Sequence, residues 1–329
     1  MAERELLELR RPRLYQVRVP LPFLLRYVNS YVFIGSDGLT VIDPGLRTAE
    51  ALACWDEALA RLGASKRDIR RIVLTHHHPD HIGLAGLFQQ ESGAETLLSV
   101  DGVRQAESMW SGERPMGRML PEAFARHGMD DETVALIREH MAGFVQLVSP
   151  LPRTSPLEDG DRVSLGDELF TAIHTPGHAW GHMMLLHEES GELLCGDHVL
   201  PKITPNIGWL PGVDESPLAS YIAALRSVAA LPVTRAYPGH REPFDDWAGR
   251  CRELLAHHEE RLAAFAAAVS SRCTAYEACR RTFGSRLSPH QLRFAMAETL
   301  AHLFWLRDAG RLKEEQDEAA VYFAPVSAL

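Results

Sequence analysis

The run His76-His77-His78-Pro79-Asp80-His81 packs four histidines and an aspartate into six residues of a 329-residue chain. Metal ligation needs lone pairs that converge on one point at about 2.0–2.2 Å. In an extended segment residues i and i+2 face the same side, so His76 and His78 point together while His77 points elsewhere. Pro79 bends the chain, and Asp80 and His81 can face a second point a few ångströms away. One loop therefore offers ligands for two ions, but it cannot complete two shells. Further candidates stand in Thr175-Pro176-Gly177-His178, Gly196-Asp197-His198 and Tyr237-Pro238-Gly239-His240. A glycine in each lets the backbone approach a crowded centre. Imidazole and carboxylate donors suit zinc, which needs no redox chemistry. Two ions about 3.5–4 Å apart can draw the pKa of a shared water toward neutrality, and the hydroxide so formed attacks an electrophilic carbonyl. One ion would stabilise the developing oxyanion.

Strand ends must carry these groups. Period-two and β-branched runs predict strands over 14–19, 27–34, 39–42, 71–75, 96–100, 162–165, 168–174, 183–187, 193–195 and 235–237. The histidine run and the three later motifs each follow such a strand. Helical spacing predicts helices from a Thr48 cap to about Leu62, over 82–92, over 218–230, over 245–270, over 275–283 and over 288–309, with a hairpin over 310–324. Residues 101–150 read as a helical insertion holding Met109, Met116, Met119, Met129 and Met141, five of the nine methionines. A domain boundary is placed near residue 245, giving a catalytic domain over 1–244, with 101–150 as its helical lid, and a C-terminal domain over 245–329.

The order H-x-H-x-D-H, then His, Asp and His, resembles the metallo-β-lactamase superfamily in its glyoxalase II, lactonase and related hydrolase branches, from Asp43 to His240. The resemblance implies an α/β fold, an αββα sandwich with metals at one edge. It implies that His76, His78 and His178 hold a first ion, that Asp80, His81 and His240 hold a second, and that Asp197 bridges them. Asp80 would also take the proton as the catalytic residue. Asp43 would support the histidine loop from behind, and His182 would buttress the site. His77, His174, His187, His198, His257 and His258 are read as structural or solvated. Two zinc ions are expected, with iron or manganese as the competitors. The oxygen-reducing diiron branch carries Glu where this chain has His78. The C-terminal helices and hairpin resemble the winged-helix tail of the β-lactamase-like-protein-2 branch, so the smaller domain is expected to be helical and winged-helix-like.

These features point to hydrolysis of an acyl ester, thioester or lactone. The methionine-rich lid suits an apolar acyl chain, since methionine adapts to varied shapes; packing of the lid onto the domain is the equal alternative. Lys202 would either meet a substrate anion or lie on the surface. His198 departs from the small residue usual after the bridging Asp, which unsettles transfer of glyoxalase II or lactonase specificity. A metal-dependent nuclease or phosphodiesterase is the rival reading, and a non-catalytic metal-bound interaction protein is a third. Charge disfavours the rival: the chain carries -10 overall, and an acidic surface repels phosphate backbones. Residues 272–329 hold eight Arg and Lys against seven Asp and Glu, a balance of +1 that makes no basic face. That domain is read as a packing or homodimer module, with a small-molecule partner for the site, no nucleic acid and no membrane. Arg10-Arg11-Pro12-Arg13 is read as a solvated leader. Five scattered cysteines without a C-x-x-C pair, and no apolar export signal, predict a reducing cytoplasmic setting.

Overall fold

Alternating side chains divide each strand between two cores. In β3 (Tyr27–Ile34) and β4 (Leu39–Ile42), Val32 and Val41 face helices, while Tyr31, Phe33 and Ile42 face a second sheet. The computed structural model describes residues 5–326. Its first sheet runs in order from β1 (Leu7–Arg11) and β2 (Leu14–Pro20) through β3, β4, β5 (Ile69–Val73) and β6 (Glu95–Leu98) to β7 (Ser155–Pro156). The second sheet runs in reverse order from β12 (Arg235–Pro238), β11 (Glu192–Gly196), β10 (Met183–His187) and β9 (Glu168–His174) to β8 (Arg162–Leu165). Phe170, Leu185 and Leu194 of the second sheet close on Phe33, Ile42 and Val73 of the first. Burying one such side chain is worth about 1.5–3 kcal/mol.

Helices cover the outer faces. Thr48 caps α1 (Ala49–Arg61), whose Trp55 and Leu59 are buried. The short α2 (Pro79–Ile82) and α3 (Ala85–Ser92) follow the histidine run. The lid comprises α4 (Val100–Trp110), α5 (Met116–Arg126) and α6 (Asp131–Gly143). Next come α7 (Pro217–Val228), α8 (Trp247–Ala268), α9 (Ala275–Phe283) and α10 (Pro289–Asp308). A three-stranded sheet of β13 (Cys273–Thr274), β15 (Val321–Pro325) and β14 (Leu312–Gln316) ends the described chain. The whole is an αββα sandwich with a C-terminal domain of helices and a small sheet.

Three local expectations are corrected. Arg10 and Arg11 are not in a solvated leader: they lie in β1, where Arg11 donates to Glu168 and Glu192, and Arg10 to Glu8 and Glu242. Acidic partners 157 to 232 residues away along the chain draw this basic cluster into the sheet. The helix expected over 82–92 is split, because Gly83 and Leu84 turn between α2 and α3. Strand β6 stops at Leu98, because the Ser99 hydroxyl accepts from Gly102 N–H and starts α4. All five cysteines are free and buried. Among the described residues no helix is long and apolar enough to cross a membrane.

Candidate metal centre

The strand directions bring the motifs to one edge. Strands β4 and β5 are parallel, as are β11 and β12, and β9 shares the direction of β11 through two antiparallel steps. Their C-terminal ends therefore emerge together, and each releases its polar residues there.

Of four groups of donors that cluster within 4.8 Å among the described residues, three share this edge: His76, His78 and His178; Asp80, His81 and His240; and His76, His81 and Asp197; the fourth, Glu168, His187 and Glu192, has no residue in common with them. The structure thus brings together all seven residues singled out as ligands. Asp197 Oδ2 stands 3.5 Å from His81 Nε2, 3.7 Å from His178 Nε2 and 3.3 Å from His240 Nε2. His240 Nε2 also lies 3.3 Å from Asp80 Oδ2, and His76 Nε2 lies 3.0 Å from His78 Nδ1. Donors sharing one tetrahedral ion at about 2.0–2.1 Å stand about 3.3–3.4 Å apart. The gaps are those of atoms sharing a cation.

The surrounding hydrogen bonds set which nitrogen is free. His178 Nδ1 donates to the Asn206 carbonyl at 2.8 Å, His240 Nδ1 to the Tyr27 carbonyl at 3.0 Å, and His81 Nδ1 to Asp43 Oδ2 at 2.9 Å. Each ring is left with an Nε2 lone pair aimed inward. Those three Nε2 atoms, with Asp197 Oδ1, are buried and lack a hydrogen-bond partner. Orphaned buried polar atoms of this kind are rare unless something absent satisfies them. The donor set and its spacing fit divalent metal ions.

Electrostatics agree. Burial opposes charge on His81, but Asp197, Asp43 and Asp80 raise its pKa well above the ordinary value. His240 is likewise pushed up to about 10 against burial by Asp197 and Asp80. Burial works against Asp197 too, yet His240 and His81 hold it well below the usual carboxylate range. The carboxylates thus demand positive charge, which either protons or a metal can supply.

Supporting residues lie just behind. Asp43 accepts from Thr75 N–H at 2.8 Å and from the Thr75 hydroxyl at 2.7 Å besides holding His81. Its φ is 49°, a left-handed turn that aims the carboxylate back at the loop. His182 Nε2 accepts from Asp197 N–H at 3.1 Å, and its Nδ1 donates to the Thr175 hydroxyl, just past the end of β9, at 2.8 Å. It props the Asp197 backbone. A Cβ on Gly239 would sit 2.2 Å from Asp197 Oδ1, so only glycine fits beside that carboxylate. The rings of His77 and His198 are fully buried without hydrogen-bond partners, and Lys202 is exposed. Asn29 and Asn206 escaped the sequence reading. Asn29 donates to the carbonyls of Pro238 and Arg241 and so fixes the His240 loop. A single asparagine carries no signal for such a role.

Beside His178 a cleft of about 330 Å³ opens between lid and sandwich, lined by Met109, Met116, Met119, Trp180, Leu210 and Val213. Trp180, Leu210 and Val213 also border the smaller hollow that His178 lines. Met129 and Met141 are buried away in packing. Met109, Met116 and Met119 therefore line the cleft, while Met129 and Met141 serve packing alone.

Residues 24–240 match the family model described as Metallo-beta-lactamase superfamily, and residues 262–325 match that of Metallo-beta-lactamase-like, C-terminal domain. The chain is 30% identical over 321 residues to the Probable metallo-hydrolase YqjP of Bacillus subtilis (strain 168), covering 93% of this chain and 96% of that one. The solved structure of a metallo-beta-lactamase family protein from Thermus thermophilus is similar with a TM-score of 0.87 and 34% identity, over 96% of this chain and 99% of that one. A Beta-lactamase domain protein from Burkholderia ambifaria is similar with a TM-score of 0.87 and 28% identity, over 97% and 94% of the two chains. The MIM-2 metallo-beta-lactamase, at 19% identity and a TM-score of 0.52, shares the fold alone.

Proposed function

The chain belongs to the metallo-β-lactamase superfamily, and from that premise we propose that it is a dinuclear zinc hydrolase of acyl esters, thioesters or lactones. His76, His78 and His178 would hold one ion and Asp80, His81 and His240 the other, with Asp197 between the two groups as a donor common to both. The observation that carries the reading is the placement of Asp197 Oδ2 at 3.3–3.7 Å from imidazole nitrogens of both groups. When bound, the ions supply Lewis acidity, easing ionisation of water and steadying negative charge on a carbonyl oxygen.

The chain's own residues do the rest. Burial works against ionisation of Asp80, but His81 and His240 keep its pKa below the ordinary value, so it is a carboxylate at neutral pH. It is also partly open to solvent, with 18% of its side chain exposed. Asp80 can therefore take the proton that water loses on attack. The methionine-lined cleft beside His178 takes the apolar acyl part and keeps bulk water from it.

The test loads the protein with zinc and offers acyl-thioester, lactone, β-lactam, bis-nitrophenyl phosphate and RNA substrates. Turnover of thioester or lactone is expected, lost in Asp80→Ala and Asp197→Ala while the fold is retained. Cleavage of RNA alone would overturn the reading, as would near-normal turnover in either variant. Elemental analysis of the purified protein should give two zinc ions per chain.

A further inference from the structure

The fold buries one cation without a counter-charge. Arg293 on α10 is 7% exposed, and its Nε has no hydrogen-bond partner. Among the described residues no carboxylate pairs with it; its guanidinium carbon lies 4.3 Å over the Phe294 ring. Arg11, Arg18 and Arg261, less buried, all have acidic partners. Burial alone acts on Arg293, lowering its pKa to about 10, so it stays charged at neutral pH. An uncompensated buried charge is costly, and such a group calls for a ligand that supplies the missing charge.

Its neighbours lie on the Asp80 side of the metal centre. One helical turn earlier, His290 Nδ1 lies 3.2 Å from Nε2 of His140 on the lid helix α6. The His290 ring stacks on Phe23 at 5.0 Å and packs near Phe144. Asp80 is close enough to act on the charge of His290, and Arg293 on that of His77, the neighbour of two metal-facing histidines. Trp110 Nε1 donates to the His77 carbonyl at 3.1 Å and joins this wall to the histidine loop.

We propose that Arg293, with His290 and His140, receives a carboxylate carried by the substrate, so that the C-terminal helix and the lid together select an anionic acyl compound. The proposal rests on the acyl-hydrolase reading above. A planar guanidinium matches a carboxylate two-pronged; of the two N–H groups of the neutral His290–His140 pair, one joins the rings and the other is left to donate, without a second charge. The chain's net charge of -10 favours one small anion over a polyanion.

The test compares zinc-loaded wild type with Arg293→Met and Arg293→Lys. Calorimetric titration with glutarate should show binding weakened about tenfold or more in Arg293→Met and less in Arg293→Lys. Because the methionine cleft takes the acyl chain, the ester probe carries its carboxylate on the leaving group: for 4-carboxyphenyl butyrate against phenyl butyrate, the ratio of kcat/KM should fall about tenfold in Arg293→Met, through KM. Thermal unfolding supplies the readout that a structural role would move the other way: removing an unpartnered buried charge should raise Tm. Equal glutarate affinity in wild type and both variants overturns the proposal, as does a lowered Tm with an unchanged ester ratio. Arg293→Lys preserves charge and bulk and carries the comparison should the methionine variant not fold. Glutarate binding that depends on Arg293, with neither ester hydrolysed, would sink the acyl-hydrolase reading and leave the anion site standing.

Discussion

The side-chain amide of Asn206 donates to Glu298 Oε2 at 3.1 Å, and through that bond the C-terminal helix α10 holds the residue whose carbonyl orients His178. Asn206 also donates to the Phe294 carbonyl at 3.4 Å. Arg261 Nε lies 3.3 Å from Glu298 and steadies its charge. Partners behind metal-facing histidines typically matter by about 10–100-fold in metal affinity. Glu298→Ala and Asn206→Ala should each weaken zinc binding by about tenfold with helical content unchanged. Competition with a chromogenic chelator measures it; wild-type affinity in both variants would show that α10 does not reach the site.

Gly239→Ala probes the crowding at the Asp197 carboxylate. The added methyl group would stand 2.2 Å from Asp197 Oδ1 and 2.8 Å from the His81 ring. Neither is a flexible chain end that can swing away: both are buried, Asp43 holds the His81 ring, and His182 props the Asp197 backbone. The variant should lose bound zinc and lower Tm, whereas Gly63→Ala, with open space around it, should leave zinc content unchanged. Elemental analysis and thermal unfolding of the two variants decide it.

The cleft beside His178 can be narrowed without touching the donors. Met119 is half-buried and lines it. Met119→Trp should raise KM for a 4-nitrophenyl octanoate roughly tenfold relative to the acetate, since apolar pockets discriminate by one or more methylenes at that scale. A parallel change for both esters would place the acyl chain elsewhere.

Acid should destabilise the C-terminal packing. Burial depresses His258 to about 3, and His127 and His302 to about 4. In the unfolded chain each titrates near 6.5 (about that of free imidazole). Between those values the unfolded state binds protons that the folded state refuses, so stability rises with pH there. The contribution is complete above about pH 6.5, falls away progressively below it, and is fully lost by about pH 4 to 3. His258 packs on Tyr221 and His302 and has no hydrogen-bond partner, so His258→Phe should keep the packing and flatten the slope of Tm against pH between 7 and about 4. An unchanged slope would exclude His258 from that acid response.

The chemistry and most of the frame are legible in the chain's order of residues. Spacing in the His76–His81 run, glycine beside His178, Asp197 and His240, and alternation in strands such as Tyr27–Ile34 are local signals. They survive in one dimension because i and i+2 geometry and turn preference act over a few residues. Whatever depends on distant partners waited for the folded arrangement. Arg10 and Arg11 became a strand rather than a leader only because Glu168, Glu192 and Glu242 wait across the sheet. Asn206 acquired its role from Glu298 and His178, and Arg293 became an unpaired buried cation through the packing of α10 against the lid. Burial and unmet charge are properties of the assembled surroundings, so no residue type or spacing announces them. The histidine run points to a metal centre, and the packing around it supplies the residues that orient its donors.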